Sequence, residues 1–148
     1  MRALIQRVSK AAVRVEREEI ARIGQGLLIL LGVAAADPPG IADRLAQRCA
    51  ELRIFEDDRG KMNRSVRDIA GEALVVPQFT LYADMTRGRR PGFESAASHE
   101  PAERAFRAFC ESLERGGVPT RRGRFGASMD VELVNRGPAT FLLELDQA

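Results

Sequence analysis

Residues 27–33 read Leu-Leu-Ile-Leu-Leu-Gly-Val and run into Ala34-Ala35-Ala36-Asp37 and then Pro38-Pro39-Gly40. A short apolar run without alternation, closed by turn formers, predicts a strand covered on both faces and therefore central in its sheet. Upstream, Arg2–Val8 alternates, and Val13, Val15, Ile20 and Ile23 keep a strand rhythm as far as Gly24-Gln25-Gly26, which reads as a turn. The first third is thus expected to be an antiparallel meander. Downstream, Ile41, Leu45, Cys49 and Leu52 recur at helical spacing and predict a helix from about Pro39 to Arg53.

The stretch from Phe55 to Gly71 is rich in charge and turn formers and reads as a surface loop with at most short strands. Ala73–Val76 is a further apolar strand leading directly into Gln78-Phe79-Thr80. A second loop, Asp84–Ser98, precedes a helix with Ala102, Ala105, Phe106, Phe109, Cys110 and Leu113 on one face, stopped by Gly116-Gly117. Met129, Val131 and Leu133 alternate with Asp130 and Glu132, and Asn135–Pro138 reads as the turn of a closing hairpin into Thr140–Leu145. The whole implies one α+β domain over residues 1–148, with mixed or antiparallel sheets and two helices packed outside.

Composition narrows the function. Of 148 residues, 23 are Lys or Arg and 21 Asp or Glu, so a net charge of +2 does not mark a general nucleic-acid binder, and RNA contact must come from local clusters. Two cysteines on apolar helix positions give neither a disulfide framework nor a zinc site. With His99 the only histidine, Ser-His-Asp, Cys-His and multi-histidine metal chemistry must use it or be absent, and metal-free chemistry is expected. Neither a spanning segment nor a signal sequence is evident, so a cytoplasmic location is expected.

Several motifs have simple explanations. Gly24-Gln25-Gly26 is too short for a dinucleotide fingerprint. His99-Glu100 reads as a polar approach to the second helix, with Pro101 in its first turn. Asp57, Asp58 and Asp68 lie among arginines in a loop and are expected to be solvated. Two segments remain open. Gln78-Phe79-Thr80 places an amide, a ring and a hydroxyl at a strand's end, which suits either a ligand site or ordinary strand packing. Asn135-Arg136-Gly137-Pro138 is either a plain turn or a built corner.

The ordered set Met1–Val8, Leu52-Arg53-Ile54-Phe55-Glu56-Asp57, Gly60-Lys61-Met62-Asn63, Gln78-Phe79-Thr80-Leu81, Gly88-Arg89-Arg90-Pro91, Gly123-Arg124-Phe125-Gly126-Ala127 and Asn135-Arg136-Gly137-Pro138 closely resembles the D-aminoacyl-tRNA deacylases, nearly end to end. The resemblance implies a homodimer with a barrel-like core that needs no metal or cofactor and cleaves the ester between a D-amino acid, or glycine, and the terminal adenosine of tRNA. It further implies a cis Gly137–Pro138 bond that crosses into the other subunit's pocket, whose carbonyls hold the substrate amino group and exclude L-side chains. Gln78, Phe79 and Thr80 match its catalytic segment: backbone N–H groups around Phe79 and Thr80 would hold the oxyanion, while Gln78 and the Thr80 hydroxyl position the ester or a water. Arg7 matches the arginine that orients the corner, and Met129 and Ala102 match positions near the pocket.

Arg87, Arg89 and Arg90, with Arg121, Arg122 and Arg124, form two clusters suited to RNA phosphates, in a chain with 21 arginines and 2 lysines. Three residues depart from the family pattern: Pro77 stands for serine, Ser128 for aspartate and Arg136 for aspartate. Pro77 is similar to a paralogous group with a trans Gly-Pro bond that accepts small L-aminoacyl-tRNA. That group is one alternative, and a non-enzymatic nucleic-acid-binding protein is another.

Overall fold

The computed structural model describes residues 1–147. Strand β1 (Arg2–Val15) is the spine of a six-stranded mixed sheet, strongly curved into a nearly closed barrel. Along one of its edges run β2 (Glu18–Ile23) and β3 (Gly26–Gly32), both antiparallel to it. The registers are in phase, with Ala11 opposite Ile23 and Val8 opposite Gly26, so β2 and β3 are two halves of one long arm. The expected meander is therefore corrected to a hairpin. Its turn is Glu16-Arg17, both at positive φ (52° and 70°), as a two-residue hairpin connection requires. Gly24–Gly26 merely interrupts the arm. Gly26 starts β3 where a Cβ would lie 1.8 Å from the Glu72 carbonyl oxygen, so only glycine permits that approach.

Helix α1 (Ile41–Glu51) is two residues shorter at each end than the spacing predicts, because Pro38–Gly40 make the lead-in turn and Leu52 is already extended. The next segment holds a small hairpin, β4 (Phe55–Glu56) with β5 (Met62–Arg64), and it is less superficial than expected: Phe55, Ser65 and Val66 are buried. Strand β6 (Glu72–Pro77) joins β3 in parallel, with Leu31 beside Pro77. Helix α2 (His99–Arg115) follows, and then β7 (Thr120–Arg122), a short polar strand that hydrophobic patterning does not reveal, parallel to β6.

Strand β8 (Asp130–Glu144) corrects the expected closing hairpin. It is one continuous strand antiparallel to β1, from Arg14 opposite Asp130 to Arg2 opposite Glu144. Asn135–Pro138 does not reverse the chain. Four residues, Arg136–Ala139, bulge out opposite the single residue Arg7.

Alternation sorts the core. Leu27, Ile29 and Leu31 of β3 and Ala73 and Val75 of β6 face the helices, against Leu45, Cys49, Phe106, Phe109 and Leu113. Leu28, Leu74 and Val76 face the other way, onto Val8, Val13 and Ile23, with Met129, Val131 and Leu133 packed beside them. Both faces of β3 are thus covered, as the opening run requires. Among the described residues, no helix is long and apolar enough to cross a membrane.

Candidate active site

Strands β3 and β6 end together, and the chain leaving β6 turns at once into a 3₁₀ helix, Phe79–Tyr82. The Gln78 N–H donates to the Leu31 carbonyl at 2.8 Å, which fixes the start of this turn to the neighbouring strand. A 3₁₀ helix leaves its first N–H groups without internal acceptors. Those of Phe79 and Thr80 have no acceptor among the described residues and lie on exposed positions. The Gln78 side-chain amide donates to the Thr80 hydroxyl, so the two side chains form one polar unit.

Beside this turn opens a cavity of about 450 Å³, lined by Gln78, Phe79, Ala102, Phe106, Phe125 and Met129 among others. Gln78, Phe79, Ala102 and Met129 are thereby brought together, with Thr80 held to them through Gln78. Pro77 lines the same cavity, placing an apolar ring with no N–H where the resemblance anticipates a hydroxyl.

The expected polar approach to the second helix, His99-Glu100, is found there, and His99 has a further place. It is the first residue of α2 and lines the cavity. Its ring meets Phe125 edge-on at 4.9 Å, and its Nε2 lies 3.4 Å from Glu103. Phe125 in turn leans on Phe106 at 6.0 Å. Spacing along the chain cannot reveal this cluster, because its members come from α2 and from the loop after β7.

Arg7, Gly137 and Pro138 lie elsewhere. Arg7 pairs with Leu27, four residues along β3 from the Leu31 that neighbours Pro77, a span of roughly 13 Å at about 3.3 Å per residue. Arg7 is only 7% exposed; its Nε donates to the Arg136 carbonyl at 2.8 Å and its Nη1 to the Ile54 carbonyl at 2.7 Å. Asn135 closes the base of the bulge. Its Oδ1 accepts from the Ala139 N–H at 2.7 Å, and its Nδ2 donates to the Thr140 hydroxyl at 2.9 Å. The Gly137–Pro138 bond is cis, Gly137 has φ 138°, and both residues are exposed. One chain therefore carries the turn and the corner at opposite ends of the same strand, and they do not meet within it.

The arginines divide in the same way. Arg87, Arg89 and Arg90 sit on a loop whose base is closed by Asp84 and Gly92 through two backbone hydrogen bonds of 2.7 and 2.9 Å. Donation from the Thr86 N–H and hydroxyl holds the Asp84 carboxyl below the usual carboxylate range. The loop touches the turn through Phe79 and Phe93. Of the other cluster, Arg121 and Arg122 lie on β7, and Arg122 is committed to Glu114 at 2.9 Å. Arg124 is exposed and directly precedes Phe125, which lines the cavity. Among the described residues, no group of three or more His, Cys, Asp or Glu converges as metal ligands would.

Comparison with known proteins places this geometry. Residues 4–144 match the family model described as D-Tyr-tRNA(Tyr) deacylase. D-aminoacyl-tRNA deacylases of Roseiflexus castenholzii and Cereibacter sphaeroides are each 56% identical over 144 residues, 97% of this chain and 92% and 99% of theirs. A solved structure of a c-Myc DNA unwinding element binding protein superposes with a TM-score of 0.92 at 38% identity, covering 98% of this chain and 99% of that one. A second, described as a probable eukaryotic D-amino acid tRNA deacylase, gives 0.80 at 15% identity over 97% and 98%, a likeness of fold alone.

Proposed function

This chain belongs to the D-Tyr-tRNA(Tyr) deacylase family of aminoacyl-tRNA ester hydrolases, and from that premise we propose that it removes D-amino acids, and glycine, from tRNA in the cytoplasm while sparing L-aminoacyl-tRNA. The observation that carries this reading is the division of labour in one chain: a cavity beside two unengaged N–H donors at one end of β3, and an exposed, braced corner at the other. A homodimer would resolve that separation, with Gly137-Pro138 of one protomer entering the cavity of its partner. Carbonyl groups of the corner would grip the substrate ammonium, and a side chain in the L configuration would collide with them. Glycine, with no side chain, passes the same sieve.

Hydrolysis then asks little of acid–base side chains. The oxygen of a water attacks the ester carbonyl carbon, and the negative charge moves to the carbonyl oxygen, where the Phe79 and Thr80 N–H groups receive it. Each such donor is worth roughly 3–4 kcal/mol of barrier. The bond to the ribose 3′ oxygen breaks as that oxygen takes up a proton, with the neighbouring 2′-hydroxyl as relay. Gln78 and Thr80 position the ester or the water, Ala102 and Met129 line the cavity, and Arg7 sets the corner's carbonyls. Arg87, Arg89, Arg90, Arg121 and Arg124 supply phosphate contacts, whereas the Arg122 expected to join them is held by Glu114. No metal or cofactor enters the scheme.

Pro77 favours one second reading, a deacylase acting on small L-aminoacyl-tRNA, although the resemblance gives that group a trans Gly-Pro bond and the bond here is cis. A DNA-binding role, after the name of the 38%-identical relative, is another. Deacylation of matched D-tyrosyl-, L-tyrosyl-, L-alanyl- and glycyl-tRNA separates all three. The expected result is turnover of the D-tyrosyl and glycyl esters only. Equal turnover of both tyrosyl enantiomers, preference for L-alanyl-tRNA, or no cleavage at micromolar enzyme would each overturn the proposal.

A further inference from the structure

Phe79 and Phe93 are 58% and 40% exposed, unusual for phenylalanine, and they lie side by side with ring centroids 5.1 Å apart at 63°. Met85, 64% exposed, belongs to the same loop. That loop carries Arg87, Arg89 and Arg90 with none of them in an ion pair among the described residues, although Asp84 and Glu94 share a small cleft with Arg87 and Arg90. Other arginines of the sheet, such as Arg2, Arg14 and Arg122, do have carboxylate partners. Exposed aromatic faces beside unpaired guanidinium groups are the combination that binds single-stranded nucleic acid, where bases stack on rings and arginines follow the phosphates.

We propose that Phe79, Phe93 and the 85–91 loop form a stacking platform for the unpaired nucleotides that precede the terminal adenosine of the RNA. The placement supports this occupant. The platform adjoins the N–H groups of Phe79 and Thr80, so a strand whose last nucleotide carries the ester at those groups runs its preceding bases over the two rings. Only the Phe79 side chain is used, leaving its N–H for the oxyanion. The loop is also pre-set: the Asp84–Gly92 bridge and the Asp84–Thr86 contacts hold its base, so little ordering is needed when the strand arrives.

The inference rests on the deacylase reading, and two substrates keep the two apart: D-tyrosyl-adenosine, which has no preceding nucleotides, and a D-tyrosylated RNA minihelix with an unpaired 3′ end. Stacking of one base changes affinity on the order of tenfold. Phe93→Leu is expected to raise KM for the minihelix by about that factor with kcat unchanged, and to cleave D-tyrosyl-adenosine as the wild type does. Phe93→Tyr, which keeps the ring, should restore the minihelix KM to within about twofold. Arg89→Ala should weaken minihelix binding and reduce the slope of log affinity against log salt by about one.

An unchanged minihelix KM in Phe93→Leu would overturn the platform. So would an equal fall in kcat on both substrates, which would make Phe93 a prop for the turn, or a change in protomer association with RNA affinity intact, which would make the rings a contact between copies. If the wild type cleaves neither substrate, the deacylase reading fails, and binding of uncharged minihelix still decides the platform: Phe93→Leu must weaken it about tenfold.

Discussion

The sharpest test of the corner is Gly137→Ala. Gly137 sits at φ 138°, a backbone conformation that costs a residue with a Cβ roughly 1–3 kcal/mol. A Cβ built there lies 2.7 Å from Nη2 of Arg7 and 3.0 Å from the Ala139 nitrogen. The guanidinium cannot swing aside freely, since its Nε and Nη1 hold the Arg136 and Ile54 carbonyls; giving up one such charged hydrogen bond costs about 1.5–3 kcal/mol. Together these predict a loss of about 3–6 kcal/mol, a drop in Tm of roughly 6–24 °C for a domain of this size. The corner would shift by about the ångström that costs on the order of 100-fold in kcat/KM. Urea titration and D-tyrosyl-tRNA deacylation read the two effects, and a cycle with Arg7→Met separates their causes, because removing the guanidinium removes the collision but not the backbone cost. Strictly additive losses, or a Gly137→Ala protein with wild-type midpoint and activity, would refute the reasoning.

Asn135→Ala removes the side-chain hydrogen bonds to Ala139 and Thr140 across the base of the bulge and should cost about 1–2 kcal/mol in urea titration, with deacylation falling more than stability alone explains. The thiols of Cys49 and Cys110 are pushed up to about 12 by burial, so neither should react with a thiol reagent at pH 8 until the protein is unfolded; rapid labelling of the native protein would contradict this packing. The Asp57, Asp68 and Asp84 carboxyls are held low mainly by hydrogen bonds from Asn63, Ser65 and Thr86 respectively. A lowered folded-state pKa gives stability that is complete above the unfolded value and fades as pH falls through the folded one. The urea midpoint should therefore decline below about pH 4, with Asp84→Asn reducing the decline, whereas a midpoint that rises on acidification would count against these contacts.

What could be read in the chain was whatever burial writes as a period. Leu27–Leu31 and the two helices show it because one or both faces of each pack into the core. Strand β7 carries no such signal: Thr120-Arg121-Arg122 is a strand only because its main chain finds β6 in register. The hairpin at Glu16-Arg17 hides for the opposite reason, two charged residues occupying positions where glycine or asparagine would announce the turn. Asn135-Arg136-Gly137-Pro138 has honest turn chemistry. It becomes a bulge because Arg7, more than a hundred residues earlier, grips the Arg136 carbonyl, a cause with no local trace. Of the candidate site, Gln78-Phe79-Thr80 was visible as a strand's end. His99, Phe125 and Phe93 were not, since each matters only for what another segment brings beside it.

The pairing of β8 with β1 has a consequence for manufacture. The segment that carries the corner leaves the ribosome after every other described strand, yet it must zip along the first of them, a long-range closure that local structure cannot hasten. A chain interrupted before residue 130 would hold the turn of Phe79 and Thr80 but lack the corner, and its first strand would keep a bare edge. An editing hydrolase that could cut without sorting would destroy correctly charged tRNA. In the proposed deacylase the corner would therefore be in place only once β8 has paired with β1, so that cutting and sorting would arise together.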